Sequence, residues 1–278
     1  MEFVKYHGLG NDFVFVEDYE NTLVGQGSVL APQICQRNFG IGADGLVFIT
    51  KPTDVYTMRI FNADGSEAEM CGNAIRCIAK HLWDQGLVQG SALDVGTLEG
   101  TKHIVRRGDD YAVNMGQPQW LAAQIPMEVA TAEAIQTPVK LGDEEFAVTA
   151  VSMGNPHAVV FVDDIDHIPF TVWGPALERH PVFPAKSNIE FVEVLDRETL
   201  RVKVWERGVG PTLACGTGAC ASAAAAARLG FTERQVKVHL PGGTLQIQWH
   251  SDNHLWMIGP AQRVFSGRWE LEQQHTNL

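Results

Sequence analysis

Shifted by 144 residues, this sequence lies on itself through most of its first half without a gap. Gly10-Asn11 falls on Gly154-Asn155, and the VFVED that follows falls near VVFVDD. Asp44 falls on Asn188, each ahead of an apolar run. MRIFN falls on VKVWE, which pairs Asn62 with Glu206. Cys71-Gly72 falls on Cys215-Gly216, Asn73 on Thr217 and Gly86 on Gly230. Toward the ends the offset drifts to 143, where Met115-Gly116 meets Ile258-Gly259. One or two glycine coincidences arise by chance in any chain, but an ordered series at one offset does not, so the chain is read as a duplication.

A duplicated chain of 278 residues is long enough for two domains, each with a sizeable core. Strand-like runs recur at 14–17, 58–61, 159–162, 189–194, 202–205, 236–240 and 244–249. Helical patterns are few, the best being GNAIRCIAKHLWDQ at 72–85 and GTGACASAAAAARL at 216–229. Gly86 and Gly230 stand where a helix-stopping glycine belongs. The predicted fold is α+β, with two pseudo-symmetric domains, each a strand-rich sheet wrapped around a central helix, and an active site in the cleft between them. The halves are expected at 1–117 and 118–263. PQWLAAQIP, at 118–126, reads as the linker, and the tail 264–278 is expected to return to the first half.

In each half a cysteine immediately precedes the CG[NT] turn that opens the helix. Unpaired N–H groups and the positive end of the helix dipole favour negative charge there, so a thiol at that place is expected to ionise more readily than the usual pKa of about 8.5. The same N–H groups can hold a carboxylate or a developing oxyanion, and the following glycine lets a ligand approach the backbone closely. Two such thiols on opposite sides of one bound molecule suit the inversion of a carbon stereocentre: a thiolate removes a proton from one face and a thiol returns one to the other. Neither motif contains a lysine, so a pyridoxal Schiff base is not suggested and no cofactor is expected. A lone cysteine before a helix is ordinarily packing. Two at equivalent positions of a duplication, each followed by glycine, call for a shared role, whereas the alanine run 223–227 reads as a tightly packed core helix.

Composition narrows the class. A net charge of −12 argues against a nucleic-acid partner, which needs a concentrated basic surface. No stretch approaches the ~18 apolar residues of a membrane span, and the first residues show no basic leader with a small-residue cleavage site. A cytoplasmic chain with a small-molecule substrate is the expectation. Five cysteines at irregular spacing do not make a disulfide framework, and neither a CxxC pair nor zinc-site His spacing is present, so no metal is expected. Cys35, Cys77 and Cys220 read as small buried apolar groups.

YHGLGNDF, GIGADG, RIFNADGSEAEMCGNAIRC, MGNPHAV, SNIEFVEV and VWERGVGPTLACGTGACAS together resemble the diaminopimelate epimerases, and the likeness runs across essentially the whole chain. The resemblance implies a diaminopimelate epimerase-like fold and a cofactor-independent epimerase of bacterial lysine and peptidoglycan precursor synthesis. It makes Cys71 and Cys215 the two acid–base thiols. Asn11, Asn62, Asn155, Asn188 and Arg207 would bind substrate, with Arg207 on the carboxylate of the non-reacting end. Glu206 would meet the amino group at the reacting centre, and Gly72-Asn73 and Gly216-Thr217 would give N–H donors to the reacting carboxylate. His157 would support the site beside one of the thiols. A homodimer is also implied. At Gly45 several members carry Gln, so Asp44 and Gly45 receive no role. The repeat gives these assignments a physical sense: Asn11 and Asn155 are partners, as are Asn62 and Glu206, diverged toward the two ends of an asymmetric molecule.

Four other readings are weaker. A proline or hydroxyproline racemase uses the same two-thiol logic but is expected to carry CG followed by His, and Asn73, Asn188 and Arg207 speak against it. A phenazine-type isomerase lacks the paired thiols. A non-enzymatic amino-acid binder has no use for them, and a redox sensor needs them within bridging distance.

Overall fold

The computed structural model describes residues 1–270; the expectation for 271–278 lies outside the described residues. The chain makes two compact units. The first comprises residues 1–8, 12–103 and 261–270, and the second comprises 9–11 and 104–260.

In the first unit, β1 (Glu2–Gly8) pairs with β2 (Asn11–Glu17). After α1 (Gly27–Ile34), β3 (Gly45–Thr50) lies parallel to β2, a pairing that needs a long crossover, which the segment containing α1 supplies. β3 reads GLVFIT and is buried at every position, as a strand covered on both faces requires. β4 (Thr57–Asn62) and the short β5 (Glu67–Ala68) follow antiparallel, and α2 (Gly72–Asp84) leads to β6 (Ala92–Thr97), parallel to β4. α2 is held by its apolar stripe: Ala74, Ile75, Ile78 and Leu82, at helical spacing, are all fully buried.

β7 (Gly100–Arg107) carries the chain into the second unit, where β8 (Asp110–Gly116) pairs with it. β9 (Thr137–Leu141), β10 (Glu144–Ser152) and β11 (Pro156–Phe161) follow as an antiparallel set. Beyond α3 (Phe170–Glu178), β12 (Asn188–Asp196) lies parallel to β11, then β13 (Thr199–Glu206) and β14 (Gly210–Thr212) run antiparallel. α4 (Gly216–Arg228) leads to β15 (Gln235–Leu240), parallel to β13, and the meander β16 (Gly243–Trp249) and β17 (Leu255–Pro260). β18 (Gln262–Arg268) belongs to the first unit and lies antiparallel on β1, from Glu2 opposite Arg268 to His7 opposite Gln262.

The repeat is visible in register as well as in order. Ile60 faces Ala68 in the first unit, and Val204 faces Thr212 in the second, each residue 144 from its counterpart. α2 and α4 each span 13 residues and end alike. Gly86 and Gly230 take φ of 67° and 76°. Gly86 N–H donates to Trp83 O and Leu87 N–H to Leu82 O; Gly230 N–H donates to Ala227 O and Phe231 N–H to Ala226 O. This is the Schellman stop, which needs a left-handed residue that glycine adopts without a steric penalty.

Two features differ from the sequence expectation. α1 and α3 were not anticipated; they carry Pro32 and Pro175 inside the helix and are themselves repeat partners, ending 144 residues apart at Ile34 and Glu178. The compact units change over at 103/104 and 260/261, where the halves had been expected to divide at 117/118 and 263/264. The physical reason is β8, whose register with β17 runs from Gly116 opposite Leu255 to Asp110 opposite Pro260.

Candidate active site

Each thiol sits at the entrance of its helix. Cys71 is the N-cap of α2 with φ −140° and ψ 120°, and Cys215 is the N-cap of α4 with φ −120° and ψ 114°. The chain is extended up to the cysteine and helical from the glycine after it, so the first-turn N–H groups have no intrahelical acceptor.

In the first unit Gly72 and Asn73 are buried and Cys71 is half-buried. The fully buried Arg76 stitches this turn together: its Nη1 donates to Gly72 O at 2.9 Å and its Nη2 to Asn73 Oδ1 at 2.9 Å. A Cβ on Gly8 would lie 2.9 Å from Arg76 Nη2 and 3.2 Å from Asn73 Cβ, which is why the end of β1 is glycine. Asn62 closes its own turn, taking Ser66 O with its N–H at 2.8 Å and Ser66 Oγ with Nδ2 at 3.0 Å. Asp44, which has no assigned role, accepts from Arg37 Nη2 at 2.7 Å and from Asp12 N–H at 3.0 Å.

The second unit links more of the expected residues directly. Cys215 is buried at 6% exposure. Its Sγ accepts from Gly218 N–H at 3.4 Å and lies 3.5 Å from Thr217 Oγ1. Asn155 Nδ2 donates to Thr217 Oγ1 at 3.4 Å, Asn155 Oδ1 lies 2.8 Å from His157 Nε2, and His157 Nδ1 lies 2.6 Å from Glu190 Oε1. Asn188, at the start of β12, donates Nδ2 to Pro156 O at 2.7 Å and accepts the Arg207 N–H at 2.9 Å, which fixes the turn from which the exposed Arg207 projects. Glu206 Oε1 accepts the Thr212 hydroxyl at 2.5 Å. Asn11 belongs to the Leu9–Asn11 turn of this unit, where Leu9 and Gly10 take φ of 56° and 83°. A Cβ on Gly10 would approach Leu213 Cδ1 to 2.9 Å, so the turn packs on the segment leading into Cys215.

The expected ease of ionisation is corrected for Cys215. Its proton affinity is pushed well above the usual thiol value, first by burial and then by the carboxylates of Glu206 and Glu190; the hydrogen bonds from Thr217 and Gly218 oppose this without prevailing. A helix start offers about half a positive charge, which burial of the thiol, joined by the nearby acidic groups, outweighs. Burial also raises the carboxyls of Glu206 and Glu190. The three cysteines read as apolar filler are all buried, and burial pushes Cys35 and Cys77 up to about 12. Sequence reasoning missed Glu190, Thr212 and Arg76. Glu190 alone had left a signal, a charge inside the apolar run of SNIEFVEV.

The sequence profile of the family described as Diaminopimelate epimerase matches residues 3–121 and 149–264. Among relatives, the diaminopimelate epimerase of Desulforudis audaxviator is 50% identical over 275 residues, covering 97% of this chain and 99% of that protein. That of Synechocystis sp. is 49% identical, covering 98% and 99%. Among solved structures, a probable proline racemase from Agrobacterium radiobacter K84 superposes with a TM-score of 0.71 at 14% identity, covering 99% of this chain and 94% of that one. A phenazine biosynthesis protein of Bacillus anthracis gives 0.71 at 15% identity, covering 98% and 99%. At such identities these structures are evidence of a shared fold alone.

Proposed function

The chain belongs to the diaminopimelate epimerase family, and on that premise we propose that Cys71 and Cys215 are the acid–base pair of its cofactor-independent epimerisation, which converts LL-2,6-diaminopimelate to the meso form. The observation that carries this reading is the equivalence of the two thiols: each is the N-cap of a 13-residue helix, followed by glycine, at corresponding places in a duplicated fold.

In the forward step one cysteine, as thiolate, takes the α-proton; the C–H electron pair moves toward the α-carboxylate, and the other cysteine, as thiol, donates its proton to the opposite face. One C–H bond breaks, one forms, and the cysteines exchange protonation states. The first-turn N–H groups of Gly72-Asn73 and Gly216-Thr217 would meet the charge that grows on the carboxylate. Glu206 would take the α-ammonium group, while Asn11, Asn62, Asn155, Asn188 and Arg207 would hold the rest of the molecule, with Arg207 on the distal carboxylate. His157 supports Asn155. The high proton affinity of Cys215 fits the role of resting acid. A substrate ammonium paired with Glu206 offsets one of the carboxylates that raise that affinity, so substrate itself would ease the ionisation of Cys215.

The enzyme would serve bacterial-type lysine and peptidoglycan precursor synthesis in the cytoplasm; among the described residues no helix is long and apolar enough to cross a membrane. A homodimer accords with β18, which exposes every residue except Gly267, Val264 and Phe265 included. The function is tested by incubating the reduced protein with LL-diaminopimelate in the absence of pyridoxal phosphate. The LL and meso forms are expected to interconvert while free proline is left unchanged. Inversion of proline instead, or of neither compound, would overturn the assignment.

A further inference from the structure

Glu190 lies in β12 with its side chain wholly buried against the equally buried His157. The repeat partners of Glu190 and His157 are Leu46 and Phe13, both core residues of the first unit. Packing alone is satisfied there by an apolar pair, so packing does not demand ionisable groups at these places in the second unit. Space has also been cleared. A Cβ on Gly218 would lie 2.9 Å from Glu190 Oε1 and 3.3 Å from Cys215 Sγ, whereas the first unit carries Ala74 at the corresponding position. Among the described residues Glu190 Oε2 is buried without a hydrogen-bond partner, a costly arrangement for an anion.

The proton count follows from the orientation of the Asn155 amide. With its Nδ2 on Thr217, its Oδ1 faces His157 Nε2 at 2.8 Å and, being only an acceptor, calls for a hydrogen there. His157 Nδ1 and Glu190 Oε1, 2.6 Å apart, then share one proton, held on the ring or on the carboxyl. Either way the pair has no net charge, which burial beside the other titratable groups acting on it, Glu206 on β13 and Cys215 at the head of α4, favours. Without that proton Nδ1–H would bond Glu190, Nε2 would become an acceptor, and Asn155 would have to turn its amide over.

We propose that Glu190 is a positioning residue: by keeping one shared proton at His157 Nδ1 it locks the Asn155 amide with Nδ2 on Thr217, leaving the Thr217 hydroxyl to point its proton at Cys215 Sγ. The inference rests on the epimerase reading, in which Asn155 binds substrate and Cys215 is a reacting thiol. What it requires of residue 190 is a hydrogen presented to Nδ1, not a charge. Glu190→Gln can present an amide N–H in that place; Glu190→Leu cannot.

The test combines two-bond 1H–15N correlation spectra of the histidines, recorded on the whole protein at neutral pH, with steady-state kinetics. Wild type and Glu190→Gln are expected to carry hydrogen on His157 Nε2 and to share a similar KM for LL-diaminopimelate. Glu190→Leu leaves His157 Nδ1 without a partner, so the ring is no longer anchored; it is expected to show a mixture of ring orientations and tautomers in place of one, and to raise KM about tenfold, the size of one hydrogen bond to substrate, with a smaller change in kcat. Should the leucine variant fail to fold, His157→Phe with Glu190→Leu installs the first unit's apolar pair and is expected to show the same KM defect in a folded chain. A bare Nε2 in the wild type overturns the proposal without any variant. So does a glutamine variant as defective as the leucine one, or a KM change with no change in tautomer. If the wild type holds the predicted tautomer but inverts nothing, the epimerase reading fails and not the proton count.

Discussion

Replacing either Cys71 or Cys215 with alanine is expected to abolish inversion, lowering kcat by about 10²–10⁴-fold or more, the range attached to a positioned acid or base. Inversion needs a proton removed from one face and another delivered to the opposite face, so neither thiol can do the work of both. The double variant is expected to be little worse than either single one, because groups that act in one step do not add. The single variants should differ in one informative way. Each retains one thiol, able to take and return a proton on its own face, so each is expected to exchange the α-hydrogen of only one stereoisomer while inverting neither. The change removes only a sulfur atom at a helix N-cap, so the fold should persist, which circular dichroism and thermal unfolding check. Full turnover in either variant would contradict the two-base mechanism.

Alkaline pH is expected to destabilise the fold strongly, and through different cysteines. Burial, joined by the carboxylates of Asp12 and Asp44, pushes Cys35 up to about 12, and burial pushes Cys77 to about 12. An unfolded thiol ionises near 8.5. A raised pKa in the folded state contributes stability that is complete below the unfolded value and is lost as pH rises toward the folded one. At a pH of about 10 each thiol therefore withdraws roughly 2 kcal/mol, or about 4 kcal/mol together, at 1.36 kcal/mol per unit. That is a large part of the 5–15 kcal/mol typical of a domain. Cys215 shifts in the same direction and adds to the loss. Urea unfolding at pH of about 8 and about 10 measures it, and Cys77→Ala is expected to remove roughly 2 kcal/mol of the difference. A midpoint that stays constant across this window would show that the thiols do not remain protonated in the folded chain.

The sequence was legible where chemistry and geometry coincide. The expected helices at 72–85 and 216–229 are α2 and α4 to within one residue, because glycine punctuates both ends and an apolar stripe or an alanine run fills the middle. The repeat offset fixed which strands correspond, and β2 with β3 and β11 with β12 share the same parallel pairing across a helix. α1 and α3 were hidden by internal prolines, which read as breakers although short helices tolerate them at some cost. The placement of β8 with β17 depends on a long-range pairing that no local pattern announces. Within the site, the N-cap placement of both thiols was readable, but the effect on Cys215 was not. The dipole argument is local, whereas Glu206 and Glu190 reach the thiol through folding of β13 and β12 onto the start of α4. Glu190 stood in plain view inside SNIEFVEV; its partner His157 lies on the neighbouring strand, and only the parallel register of β11 on β12 brings them together.

The central claim is that Cys71 and Cys215 act as a two-base pair, one removing the α-proton and the other supplying a different one, and the most direct measurement follows the solvent label. LL-diaminopimelate incubated with the reduced protein in deuterium oxide is expected to yield meso product carrying one deuterium, at the inverted α-carbon, because the proton delivered to the new face comes from a cysteine equilibrated with solvent and not from the substrate. Meso product that retains its original α-hydrogen, or deuterium at both α-carbons in a single turnover, would contradict the account.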